Sequence, residues 1–527
     1  MLYRHGSKGP FRVADSGRIV YSIRDFQAFV GPANQDRMTI PAMNTGRVSW
    51  ICRAVAGAIG LMLCISPIVE AQPVIGRVFP ATEFAERRVA VMRAVGDGVA
   101  ILQGTTERPG EQPLRQNDEF YYLTGVVEPR AILIIDGRTR RSTLFLSPTT
   151  ERREKSMFGP SLTPGDSAEK DTGIESVVLR DQFGPMLTSL GHDSRTIFTP
   201  FRAEVLGSAS ASDPVALAKA TRTDPWDGRE SREEAFREKM KAVAPNSEIR
   251  DLDPVIDSLR AIKSPREIEV IRQATRIAGL GIMEAMRDAK PGMHEYELQA
   301  DAEFTFKKYG SYGPAYFALI ATGKNTYYTH YHRDTAILQD GDLVQFDYAP
   351  DYDYYTSDVT RIFPANGKFT PREREMYTIY LRLYQALMGS IRPYVTPDQI
   401  ARDAVVKMEA TVANYKFTDD KIKDAANSFI DIYRGKTTKA LGHTVGMSVH
   451  DVPYAAATLQ PGEIFTIEPE MRIEGEHLGF RLEDMLLITK TGYVNMSGFV
   501  PVEIADIERL MAQPGLSDAA LKMSATR

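Results

Sequence analysis

The chain has 527 residues, 43% hydrophobic and 25% charged, an ordinary globular composition that excludes a collagen-like, coiled-coil or broadly disordered protein. Its net charge is −5, from 64 Lys and Arg against 69 Asp and Glu, so no basic excess points to nucleic acid as a partner. The two cysteines, Cys52 and Cys64, lie close together, and the rest of the chain offers neither a disulfide nor a thiol nucleophile.

Both cysteines fall in a segment with the anatomy of a secretory signal peptide. Arg47 and Arg53 form a positive start, Ala54 to Val69 is apolar but for Ser66 and Pro67, and Val69-Glu70-Ala71 closes it with a small-x-small-like cleavage pattern. The run is shorter than the about 20 residues a membrane span needs. The chain therefore reads as an extension over 1–42, expected to be disordered and to precede a true start at Met43 or Met38, then a signal peptide over 43–71. Cleavage after Ala71 would leave a secreted or periplasmic protein with no cysteine and no stable membrane span. Without processing, the same segment implies a cytoplasmic or membrane-anchored protein.

From Pro80 the pattern alternates. Thr82 to Val95 reads as an amphipathic helix, and Val99–Leu102, Ala131–Ile135 and Ser142–Ser147 as buried strands. Phe183–Leu190 reads as a helix and Thr196–Thr199 as a strand. Residues 208–230, rich in Ser, Ala, Asp and Thr, read as a surface loop. A charged helix over Arg229–Ala242 and a strand over Glu248–Arg250 complete an α/β domain at 80–252. The second domain, 253–505, opens with helices at 254–262, 266–289 and 294–309, with Pro265 near the start of the second. Strand and turn signals follow Tyr316, a long helix spans Arg372–Arg392, and 460–503 is strand-rich; 506–527 reads as a tail.

Asp347, Asp358, His443, Glu468 and Glu483 stand out in this second half, each set in or beside an apolar, strand-like stretch. A buried charge must be paired or must bind a metal. Only Arg361 and Arg481 lie nearby as cations, too few for four carboxylates. Two divalent ions would neutralise that surplus, and oxygen-rich ligation with one imidazole suits Mn²⁺, Co²⁺ or Zn²⁺.

The same residues lie in ordered motifs. Asp347 is followed after ten residues by Asp358 in the run Ser357-Asp358-Val359-Thr360-Arg361, and His330-Tyr331 stands seventeen residues before Asp347. H-x-x-G-x-x-V-H-D runs from His443 to Asp451, T-I-E-P from Thr466 to Pro469, and G-x-R-x-E-D from Gly479 to Asp484. K-S-P-x-E-I begins at Lys263, and DEFYYLTGVVEP lies at 118–129. With these motifs, 80–503 resembles the pita-bread metallopeptidases of family M24, in the branch of Xaa-Pro aminopeptidases (aminopeptidase P) and prolidases. The resemblance implies an α/β N-terminal domain joined to an α+β pita-bread (creatinase/aminopeptidase) catalytic domain. It implies two divalent ions, Mn²⁺ first, with Asp347 on one, Asp358 and Glu483 bridging, and His443 and Glu468 on the second. A hydroxide between them would attack the scissile carbonyl, with Glu468 as proton shuttle, His330 and His450 as substrate-site histidines, and Arg481 orienting Asp347. The implied substrates are peptides with proline at the second position. Xaa-Pro dipeptides, the prolidase reaction, are the alternative, and a non-catalytic binding protein on the same fold is the more distant one. A homodimer or homotetramer is implied as well.

Three positions depart from the family pattern: Lys439 replaces a histidine four before the ligand histidine, Glu470 a glycine, and Arg472 a tyrosine. They put the substrate pocket, not the ligand set, in question. His192, His294, His332 and His477 read as loop or helix-surface residues, and Tyr348, Tyr352, Tyr354 and Tyr355 as a hairpin surface with part-buried rings.

Overall fold

In the first domain, apolar runs bounded by turn residues form the strands of one sheet. The computed structural model describes residues 78–106, 113–148, 161–204, 209–435 and 441–517. The extension at 1–42, the signal segment at 43–71, Lys439 and the end of the tail lie outside the described residues.

The domain comprises α1 (Ala81–Val95), β1 (Val99–Gln103), α2 (Asp118–Thr124), β2 (Ile132–Asp136), β3 (Arg141–Leu146), α3 (Asp166–Thr172), β4 (Ser176–Leu179), α4 (Phe183–His192), β5 (Ile197–Thr199), α5 (Asp213–Thr223), α6 (Arg232–Val243) and β6 (Ile249–Asp251). The six strands form a mixed sheet in the order β4-β3-β2-β1-β5-β6. Strand β1 is apolar throughout its first four residues because both of its faces are covered. Val99 and Ile101 pack with Leu187 of α4 and Met240 of α6, while Ala100 and Leu102 join the core under α1.

The second domain runs through α7 (Asp253–Ala261), α8 (Pro265–Asp288), α9 (Glu295–Lys308), β7 (Gly313–Pro314), β8 (Leu319–Thr322), β9 (Leu343–Asp347), β10 (Pro350–Asp351), β11 (Thr360–Pro364), α10 (Pro371–Met388), α11 (Pro397–Ala413), α12 (Asp420–Tyr433), β12 (Ile464–Ile467), β13 (Glu470–Ile473), β14 (Leu478–Arg481), β15 (Asp484–Ile488), β16 (Tyr493–Asn495) and α13 (Ile504–Met511). Helix α8 begins where the motif K-S-P-x-E-I places it. Ser264 Oγ accepts from the Glu267 N–H at 3.2 Å, Glu267 accepts from the Ser264 N–H at 2.9 Å, and Pro265 occupies the first helical turn. Two antiparallel sheets, β11-β9-β8 and β12-β15-β16, form the floor of this domain. The packed chain runs on past residue 505: α13 buries Ile507 and Leu510, and Ser517 donates its N–H to Asp288 at 2.9 Å.

Two expectations from the sequence are corrected. The 208–230 stretch is not simply a surface loop. It contains α5, and its first residues pair with the second domain: the His450 N–H donates to the Ala209 carbonyl at 2.9 Å and the Ala211 N–H to the His450 carbonyl at 2.8 Å. The tyrosines are not a hairpin surface either. Tyr348, Tyr354 and Tyr355 are buried, and only Tyr352 is partly exposed. Tyr354 stacks on Tyr121 of α2 with ring centroids 3.6 Å apart and accepts from the Gln116 N–H, while Tyr355 donates to Glu267 at 2.8 Å. Tyr354 thus joins the two domains, and burial between domains cannot be read from a run of tyrosines.

Candidate active site

Strand β9 ends on Asp347, whose register partners are Thr360 at the start of β11 and Leu319 at the start of β8. Asp358 precedes β11 by two residues and so emerges at the same edge. Glu483 occupies the junction of β14 and β15, tied to that edge by its N–H to the Thr360 carbonyl at 3.1 Å and by the Thr360 hydroxyl, which donates to Glu483 Oε2 at 2.7 Å. Glu468 directly follows β12. His443 lies beside that strand, its carbonyl accepting from the Thr466 N–H at 2.8 Å. Gly442, at φ +143°, permits this approach, since a Cβ there would collide with the Thr466 carbonyl.

The five residues singled out in the sequence thus come from four separate segments to one place. His443 Nε2 is 3.4 Å from Asp358 Oδ2 and 3.4 Å from Glu468 Oε1. Donor atoms of Asp358, His443 and Glu483 all lie within 4.8 Å of one another. Asp347 connects through Tyr316, whose hydroxyl is 2.6 Å from Asp347 Oδ1 and 2.9 Å from Asp358 Oδ1. The other oxygen of Asp347 accepts from Arg481 Nη2 in a buried ion pair.

The electrostatics are those of an acid surplus. Asp347, Asp358 and Glu483 are buried, and among the described residues Arg481 is the cation paired with one of them, Asp347. Arg361 is engaged with Asp484 at 2.7 Å and with the Glu483 carbonyl at 2.8 Å. Burial first, then the neighbouring carboxylates, hold the Asp358 and Glu483 carboxyls well above the usual carboxylate range. Glu483 Oε1 is buried with no hydrogen-bond partner among the described residues. An orphaned buried carboxylate oxygen amid further carboxylates and one imidazole fits a divalent cation. Such an ion would satisfy the oxygen and remove the repulsion.

Two histidines stand at the rim. His450 is exposed, but its ring lies 4.0 Å from that of His443, and partial desolvation and then the His443 ring lower its imidazole to about 4. His330 is exposed and close enough to His450 to disfavour its cation further. Asp451 anchors the chain after His450 through Arg260 at 2.6 Å and Lys263 at 3.3 Å. His192, His332 and His477 are exposed, and His294 is half-buried at the start of α9. Between the domains, beside the strap at 209–211, lies a cavity of about 210 Å³ whose lining includes Ser210, Pro214, Ala315, Met447 and Val449.

Sequence reasoning passed over Tyr316 and Thr360, both of which touch the carboxylates. Thr360 stands within the S-D-V-T-R run and could have been noticed there. Tyr316 carries no local signal, because its partners are 31 and 42 residues away.

A largely buried, oxygen-rich donor set with one imidazole fits a divalent-metal site of the kind metal-dependent hydrolases use. Residues 269–490 match the model of metallopeptidase family M24, and residues 84–198 match the aminopeptidase P N-terminal domain. The chain is 28% identical over 449 residues to the Xaa-Pro aminopeptidase of Escherichia coli (strain K12), covering 81% of this chain and 97% of that protein. It aligns with the structure of a putative aminopeptidase P from Bacillus anthracis at a TM-score of 0.70 and 27% identity, over 83% of this chain and all of that one. It aligns with E. coli aminopeptidase P holding the inhibitor Pro-Leu at a TM-score of 0.65 and 27% identity, over 84% of this chain and 99% of that one. The chain thus carries an aminopeptidase P N-terminal domain ahead of an M24 metallopeptidase domain of the pita-bread fold, the arrangement of the aminopeptidase P structures.

Proposed function

We propose that this enzyme hydrolyses the bond between the N-terminal residue and a following proline in peptides, with divalent metal. The observation that carries the reading is the convergence of Asp347, Asp358, His443, Glu468 and Glu483, with Glu483 Oε1 left for a cation. Proline's tertiary amide lacks an N–H and resists peptidases that read one. The Xaa-Pro aminopeptidases of Escherichia coli and Haemophilus influenzae match along 97% of their length, and this favours peptides over Xaa-Pro dipeptides alone.

Asp347, Asp358, Glu483, His443 and Glu468 would hold two ions, Mn²⁺ by the oxygen-rich donor set, with Co²⁺ or Zn²⁺ as alternatives. Bound there, divalent ions supply Lewis acidity, which lowers the pKa of water and stabilises negative charge on a carbonyl oxygen. Glu468 is half-buried at the edge of the cluster, where its carboxylate can accept a proton from the attacking water and return it to the leaving proline nitrogen. His450, kept neutral, donates a hydrogen bond to the substrate carbonyl without adding further positive charge beside the site, and His330 contacts the substrate from the loop that follows Thr329. Arg481 holds Asp347 in orientation from behind.

The segment at 43–71 supports export, and a homodimer or homotetramer follows the family pattern. The deciding experiment is hydrolysis of a series of Xaa-Pro peptides of increasing length with Mn²⁺, for wild type and Asp358→Ala. Cleavage of tripeptides by the wild type alone is expected. Cleavage of dipeptides only would move the reading to prolidase, and no metal binding with no hydrolysis would remove it.

A further inference from the structure

The positions where this chain departs from its family, Glu470 and Arg472, have contacts that the proposed chemistry above does not use. Both lie on β13, whose hairpin with β14 pairs Glu470 opposite Arg481 and Arg472 opposite Gly479. Arg472 makes a two-pronged ion pair with Glu470, Nε to Oε1 at 3.0 Å and Nη2 to Oε2 at 2.8 Å. Both groups then close on one hydroxyl. Arg472 Nη2 donates to Thr329 Oγ1 at 2.6 Å, and that hydroxyl donates to Glu470 Oε2 at 3.0 Å. From the other side of the same residue, Arg481 Nη1 donates to the Thr329 carbonyl at 2.9 Å. The Arg472 guanidinium also lies 5.3 Å from the centre of the Tyr327 ring, two residues earlier. Thr329 is therefore held through side chain and backbone by a single hairpin, and the next residue in the chain is His330.

We propose that Glu470 and Arg472 are a positioning pair, which clamps Thr329 and thereby fixes the loop that presents His330 to the substrate. The inference rests on the reading of His330 as a substrate-site residue. A glycine and a tyrosine at these two places could not make this arrangement, since neither supplies a charged fork. The clamp is distinct from the hold on the metal-binding carboxylates. Asp347 is held by Arg481 and Tyr316, not by Glu470 or Arg472, so breaking the Glu470–Arg472 pair loosens His330 while Asp347, Asp358 and Glu483 keep their braces. A residue that presents a catalytic contact from a loosened loop loses rate steeply, as displacements of about 1 Å cost up to about 100-fold.

The test uses the Mn²⁺-loaded full chain. Arg472→Ala and, separately, Thr329→Val should each lower kcat about tenfold on an Xaa-Pro tripeptide, with KM changed less and metal content unchanged. Arg472→Lys, which keeps the charge and loses the fork, should fall between wild type and Arg472→Ala. In a His330→Ala background, adding Arg472→Ala should cost less than about twofold, because the residue it positions is gone. Hydrogen exchange over residues 326–332 should rise in Arg472→Ala. Unchanged exchange there, or a tenfold loss that persists in the His330→Ala background, overturns the inference. If the wild type cleaves no Xaa-Pro peptide, the activity reading falls, while the exchange measurement still decides whether the clamp exists.

Discussion

The floor and the rim of this site are built by different rules. Asp347, Asp358 and Glu483 stand at strand ends, are almost wholly buried, and are tied to one another by Tyr316, Thr360 and Arg481. His330 and His450 hang from loops, reach solvent, and are fixed chiefly through neighbouring backbone, as in the pairing of His450 with Ala209 and Ala211. The floor carries the electrostatic load, where a small displacement would leave a buried charge unpaired, so ladder hydrogen bonds hold it. The rim must admit a peptide, so its groups sit on segments whose placement depends on a few specific contacts.

The largest break in that comparison is Asp358→Ala. It should lower kcat/KM on an Xaa-Pro tripeptide by about 10³-fold or more, and it should abolish the rise in Tm that Mn²⁺ gives chelator-stripped wild type. A Tm rise that survives in the variant would show that the floor is not the metal site. His450→Ala on the rim should cost about 100-fold in kcat while metal content stays at the wild-type level, the reverse split from the floor. Loss of metal in that variant would erase the distinction between the two layers.

Ala211→Pro is a finer probe, because it deletes the single N–H that reaches across from the first domain to the His450 carbonyl. A lost backbone hydrogen bond is worth about 1 kcal/mol, so a fall of about fivefold in kcat/KM is expected, with the Mn²⁺-induced Tm rise intact. An unchanged rate would mean that the strap does not bear on His450.

The smallest effect belongs to a control cluster. Asp301, with Asp288, Glu284 and Glu297, is another crowd of acids, and its Oδ2 has no partner among the described residues. Burial first, then those neighbours, raise its carboxyl from 3.8 to about 7. A carboxyl whose folded pKa lies above its unfolded value favours folding fully below about pH 4, and that contribution is lost as pH rises through about 7. Asp301→Asn cannot ionise, so it should be more stable than wild type at pH 8 by about 1 kcal/mol, discounted for solvent screening, by less than half of that at pH 5, and no more stable below about pH 4. A gain equal at both pH values would show packing, not charge, at work. Crowded acids alone cost stability; at the floor, strand geometry and His443 turn the same cost into a ligand set.

Much of this was legible beforehand. The helices at 82–95, 266–289 and 294–309 came from periodicity and caps, and appear at Ala81–Val95, Pro265–Asp288 and Glu295–Lys308. The acids of the floor showed themselves as charges inside apolar strand stretches, an anomaly visible in one dimension. The histidines of the rim were expected from the motifs, but the contacts that hold them, and the domain junction, were hidden, because the partners are distant in sequence. Ala211 meets His450, Tyr121 stacks on Tyr354, and Gln116 meets Tyr354 across 238 residues. Composition marked 208–230 as loop, correctly for its polarity, but nothing local says that such a segment will lend two backbone hydrogen bonds to another domain.

What the sequence determined by itself was the chemistry: four carboxylates and one imidazole with too few cations, in an order that resembles one metallopeptidase family. What only the tertiary structure decided was how that chemistry is held. Tyr316 spans two of the carboxylates, Arg481 reaches both Asp347 and Thr329, and Glu470 with Arg472 grips the residue before His330. Residue types and local patterns record which charges are present, whereas the partners that satisfy them are chosen by long-range register and packing, which no local stretch of sequence encodes.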